Sequence, residues 1–155
     1  MPASCTRICL TSALARLEEP EIQAIGQTEI GFLDTVAYDY DYAGPALDPA
    51  EGERLAGVIG ADKKVLFMAN HGVLVCGTTV AEAYDLLYYL ERACQVQLYA
   101  MWTGRKLRQV KPEVVTHTLQ QYGQVWPRYA SKPTWQHHFD ALKRILDRRE
   151  PHYAD

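Results

Sequence analysis

The strongest periodicity in the chain lies between Thr79 and Trp102. Val80, Ala83, Leu87, Leu90, Cys94, Leu98 and Met101 recur at three- and four-residue steps, the spacing that aligns one face of an α-helix. Tyr84, Tyr88, Tyr89 and Tyr99 widen that stripe. Thr79 and Glu82 make a capping box at its start, and Gly104 ends it. A helix of about six turns with one apolar face must pack along a sheet or a neighbouring subunit. Just upstream, Lys64–Ala69 (KVLFMA) and Gly72–Cys76 (GVLVC) are continuous apolar runs of strand length, which predict buried strands. The Asn70-His71-Gly72 turn that joins them is too short for a parallel crossover, so an antiparallel hairpin is expected.

The remaining patterns are weaker. Residues 8–17 read as an Ala/Leu-rich helix that stops before Glu19-Pro20, because proline pushes its predecessor out of the helical region. Residues 22–33 show no clear period, and Val36–Tyr38 reads as a short strand. DYDYAGPALDP is a loop. Asp48-Pro49 then supplies an N-cap and a first-turn proline for a helix ending at Gly60. Residues 112–126 predict a further helix, with Pro127 and Pro133 bracketing a loop. Thr134–Arg148 predicts an amphipathic helix with Trp135, Phe139, Leu142, Ile145 and Leu146 on one face and Lys143, Arg144, Arg148 and Arg149 near its C-terminal end.

Composition adds bounds. The 155 residues, 48% hydrophobic and 23% charged, suit one folded domain. A net charge of −3 argues against nucleic-acid or polybasic membrane partners. There is no apolar run of ~18 residues to span a bilayer, and the N-terminus lacks the apolar core of a signal peptide. Cys5, Cys9, Cys76 and Cys94 fit no disulfide framework, so a reducing, cytoplasmic compartment is expected, with Cys76 and Cys94 as small core residues.

His71 is the candidate site residue. Imidazole is the commonest biological metal ligand, a turn between two buried strands fixes its backbone, and Gly72 leaves room beside it. Asn-His-Gly is equally an ordinary turn sequence, and one histidine does not make a zinc site. His117, His137, His138 and His152 read as surface residues. His137 and His138 are adjacent and point in different directions on a helix. No phosphate-binding glycine loop, dinucleotide fingerprint, zincin motif or nucleophile elbow is present.

The run KKVLFMANHGVLVCGTTVAEAYDLLYYLERACQVQLYA (63–100) resembles the class II aldolase/adducin family, and ALARLEEP (13–20), VAYDYDYAGPALDPAEGERLA (36–56) and WQHHFDALKRILDR (135–148) extend the likeness over nearly the whole chain. The resemblance implies an α/β fold, a three-layer α/β/α sandwich with a mostly antiparallel mixed sheet. It also implies that the N-terminal part of the family fold is missing and a sheet edge exposed, with a partial family domain over 1–105 and a helical tail over 106–155. In the family's enzymes zinc or another divalent metal polarises a carbonyl or enediolate oxygen of a small sugar phosphate. Three histidines hold the metal, a His-x-His pair and the turn histidine, and an upstream glutamate is the acid/base.

On that pattern His71 matches the turn ligand. The His-x-His positions fall within residues 3–7, on Cys5 and Arg7 in one frame or on Ala3 and Cys5 in the other, and the glutamate would precede Met1. Three readings follow. The favoured one is a truncated or degenerate relative, whose metal site keeps one ligand and no acid/base and binds zinc too weakly to hold a catalytic ion. Alternatively Cys5, Cys9 and His71 form a rearranged metal site of an active aldehyde-lyase or epimerase. Or it is a non-catalytic, self-associating module like the adducin heads. A homo-oligomer is expected throughout, with a sugar-phosphate or carbonyl substrate if the chain is active.

Overall fold

Strands form where the apolar runs lie, and helices where the caps stand. The computed structural model describes residues 10–42, 44, 48–129 and 132–153. In chain order the elements are α1 (Leu10–Leu14), α2 (Gln27–Ile30), β1 (Val36–Asp39), α3 (Pro49–Ile59), β2 (Val65–Met68), β3 (Gly72–Val75), α4 (Val80–Trp102), α5 (Pro112–Tyr129) and α6 (Thr134–Arg149). The described strands form one sheet in the order β1-β2-β3. β2 and β3 are antiparallel, as the three-residue turn requires, with Val65 opposite Val75 and Met68 opposite Gly72. β1 lies parallel to β2 with Val36 opposite Val65, and α3 makes the crossover between them.

Side chains alternate across the sheet and so feed two cores. Val36, Val65 and Phe67 face one way and cluster with Leu14 and Ala15 at α1, Phe32, and Leu90, Ala93 and Cys94 of α4. Leu66 is fully buried on the opposite side, where α3 packs on β1 and β2. Helices therefore cover both faces, the α/β/α layering expected of the fold, around a mixed sheet with one pairing of each kind. Leu74 of the outer strand β3 is 44% exposed. The tail helices pack on the same body, α5 against α2 and α6 along α4. Among the described residues no helix is long and apolar enough to cross a membrane.

Local chemistry explains the boundaries. The Asp48 carboxylate accepts from the Ala50 N–H at 2.9 Å, and Pro49 opens α3 without a wasted donor. Thr79 Oγ1 accepts from the Glu82 N–H at 3.1 Å. Glu82 turns back to Thr78, accepting from its N–H and its hydroxyl, both at 2.7 Å. Gly77 is required just before this cap. A Cβ there would stand 2.6 Å from the Ala83 nitrogen, a backbone atom that cannot yield. One expectation fails at the C-terminal side: α5 does not stop before Pro127 but runs on to Tyr129. A proline removes a single hydrogen bond from a helix interior, and the 18-residue α5 retains its ladder on either side.

A clamp joins the crossover helix to the sheet. Arg54 of α3 donates to both oxygens of Asp39 at the end of β1, at 2.8 and 2.7 Å, and to both of Glu51 at 2.8 Å. Asp39 is only 6% exposed, and the Arg54 hydrogen bonds hold its carboxyl below the ordinary range against the opposing effect of burial. Replacing Arg54 by Ala leaves that carboxylate buried without its cation. We expect a measurable loss of stability in denaturant unfolding at neutral pH, smaller than for a fully buried pair because the Arg54 side chain is 34% exposed.

Candidate functional site

The hairpin turn fixes His71 through three backbone features. Asn70 adopts a left-handed conformation (φ 58°), which asparagine tolerates better than most residues. The His71 N–H donates to the Met68 carbonyl at 3.1 Å, closing the turn. The Asn70 N–H donates to the Ala15 carbonyl at 2.9 Å, just beyond the last residue of α1, so the tip is tied to another element. Gly72 has φ 155° and lies against α1, where a Cβ would come within 3.6 Å of Ser12 Oγ. The imidazole itself is exposed, with the Tyr42 ring edge-on to it at 6.4 Å between centroids.

Cys5 and Cys9, the other candidate ligands, lie outside the described residues, as do Ala3 and Arg7. Among the described residues no group of three His, Cys, Asp or Glu side chains could hold a metal ion. One imidazole does not fit a zinc centre, which needs three or four converging ligands.

The approach of α1 to the turn depends on α4. Glu91 is 3% exposed and accepts from the Leu10 and Thr11 N–H groups at 2.8 and 3.0 Å, which satisfies donors at the start of α1. One turn and a half further on, fully buried Gln97 accepts from the Gln23 N–H and donates to the Glu21 carbonyl, both at 2.8 Å. These two polar side chains hold the 10–23 segment against the core.

Several sequence expectations need correction. Cys94 is buried as expected, but Cys76 is exposed, because β3 ends at Val75 before it. Burial pushes the Cys94 thiol far up, so it is an inert core group. Val80 does not join the buried stripe; at the first position of α4 it is 78% exposed. His117 and His137 are exposed as read, whereas His138 is half-buried. Its Nδ1 lies 2.6 Å from Asp85 Oδ1, and its ring sits among Tyr88, Tyr89 and Tyr84 at 4.8, 5.9 and 6.0 Å. The signal that could have found it is Tyr84-Asp85 with Tyr88-Tyr89 one turn on, an aromatic surround with a carboxylate facing a second amphipathic helix.

Comparison with known proteins accords with this geometry. Residues 6–98 match the model described as Class II Aldolase and Adducin N-terminal domain. A Caulobacter vibrioides protein, provisionally named an aldolase class 2 protein, is 34% identical over 132 residues, covering 79% of this chain and 46% of its own. Human beta-adducin is 28% identical over 172 aligned residues, covering 94% of this chain and 24% of its own. The crystal structure of an aldolase II superfamily protein from Pseudomonas syringae superposes with a TM-score of 0.79 at 32% identity, over 95% of this chain and 56% of that one. The chain thus spans about half the length of the bacterial curated relatives it matches. With the hairpin turn, the capped helix behind it and the layered sheet all in place, this chain belongs to the class II aldolase/adducin family.

Proposed function

We propose that this chain is an assembly subunit, a degenerate relative of the zinc-dependent aldolases and epimerases of small sugar phosphates that self-associates in the cytoplasm rather than acting as a lyase. One observation carries this reading. Val96, Tyr99 and Trp102 follow one another at three-residue steps on α4 and are 55%, 51% and 84% exposed. Monomers rarely leave such a run of large apolar side chains in water, and aromatic residues are enriched at interfaces. The occupant proposed is a second copy of this chain, in keeping with the resemblance to adducin heads. Light scattering of the purified chain should show a stable oligomer that a chelator leaves intact, with no cleavage of sugar phosphates. Trp102→Lys together with Tyr99→Lys should yield a folded monomer. A monomeric wild-type chain would overturn the proposal.

A second reading rests on the closeness of α1 to the turn. Ser12 approaches Gly72, and Cys9 immediately precedes Leu10 in sequence. In this reading Cys5, Cys9 and His71 form a thiolate-imidazole set with an open position, where a bound divalent metal would polarise a substrate oxygen. Elemental analysis after purification under reducing conditions decides it. One equivalent of zinc, lost in His71→Ala, supports a rearranged site, and substoichiometric zinc sinks it.

A further inference from the structure

A cleft of about 490 Å³ opens between α2, α4, α5 and the start of α6, and none of its lining residues comes from the hairpin that carries His71. Its size falls in the range of small-molecule sites. Phe32 from beyond α2, Leu86 and Tyr89 from α4, and Tyr122 from α5 give the cleft its apolar and aromatic wall, while Gln27, Thr28 and Thr134 line its polar side. The Tyr122 hydroxyl donates to the Gln27 carbonyl at 2.9 Å and so fixes one wall to α2. Among the described lining residues Asp85 alone carries a formal charge. The carboxylate is held in place from behind, because His138 engages Oδ1 at 2.6 Å and is itself seated against Tyr88. Oδ2 is left for another partner. Held at one oxygen, the Asp85 carboxylate presents the other as a preoriented acceptor for a cationic donor, so the cleft combines a fixed carboxylate oxygen with π-faces.

We propose that this cleft binds a small organic cation with a flat apolar body, an arylalkylamine, its ammonium on Asp85 Oδ2 and its ring between Phe32, Leu86, Tyr89 and Tyr122. Charge complementarity selects the ligand class: an ammonium gains a charge-assisted hydrogen bond at Asp85 and a cation–π contact at Tyr89, and an anion would meet repulsion. Neither the assembly of α4 nor a metal at His71 enters this proposal.

The test uses the full chain and 2-phenylethylamine as probe, with 2-phenylethanol as its neutral isostere, followed by calorimetry and amide chemical shifts. We expect one saturable site, shifts centred on Phe32, Leu86 and Tyr122, and binding of the amine at least roughly tenfold tighter than that of the alcohol. Asp85→Asn keeps a carbonyl oxygen for His138 and should abolish the preference for the amine. Tyr89→Ala, at a half-exposed position, should weaken both ligands, and it decides the matter if Asp85→Asn fails to fold. Absence of saturable binding, equal affinity for the two probes, an undiminished preference in Asp85→Asn, unchanged affinity in Tyr89→Ala or shifts confined to other surfaces would each overturn the proposal.

Discussion

Phe67→Ala should destabilise the protein by about 4 kcal/mol and lower its melting temperature by roughly 10 °C. Phe67 is 1% exposed in the central strand β2 and belongs to the cluster that joins the sheet to α1 and α4. Its ring stacks on Tyr38 at 5.5 Å, and the Tyr38 hydroxyl accepts from the Ile22 N–H at 2.9 Å. Removing the phenyl group therefore opens a cavity in the core and withdraws support from the residue that anchors the 20–25 segment. Burial also pushes the Tyr38 hydroxyl up to about 12. Chemical denaturation of wild type and variant measures the loss directly. A change below ~1 kcal/mol would mean that the sheet and α4 do not share one core.

Glu82→Gln should remove about 2 kcal/mol of stability at pH 7 and nearly nothing at pH 2. Burial raises the Glu82 carboxyl, but hydrogen bonds from the Lys64 ammonium and from the Thr78 hydroxyl and N–H outweigh it and bring the group from 4.5 down to about 2. The position at the start of α4 favours the anion as well. A carboxyl depressed in the folded state adds stability that is complete above its unfolded value, near 4.5, and is lost as the pH falls through about 2. Linkage sets an upper bound of about 3 kcal/mol, and the 46% exposure of the Lys64 side chain trims that figure. Unfolding free energies measured from pH 7 to pH 2 should thus converge for the two proteins. Parallel curves would show that the Glu82 charge does not contribute.

The contrast between these two sites shows what the sequence makes legible. Phe67 and Glu82 were readable: one sits in an unbroken apolar run, the other three residues after a threonine that starts a helix. Glu91 and Gln97 were not, because a period-3.6 reading assigns polar residues to the wet face. Their burial depends on backbone groups 74 to 81 residues away. His138 was hidden for the same reason, since its partner Asp85 lies 53 residues upstream. The β2–β3 pairing followed from turn length alone. The parallel β1–β2 pairing did not, because a crossover is specified by packing of α3 and not by any local signal. At the candidate site, His71 is legible in the sequence because a turn is a local object. Where its partners sit depends on the tertiary path of the chain.

The bond from Asn70 to Ala15 has a mechanical consequence. A hairpin tip is ordinarily the part of a sheet freest to drift, held only by the strands behind it. Here the tip is moored to α1, and α1 is in turn gripped by Glu91 on the long helix. The backbone under His71 is thus tied to the core, while the exposed imidazole keeps its own two side-chain rotations. Any displacement of α1 would be handed to that imidazole as a rigid shift, so two segments 55 residues apart act as the two ends of one lever.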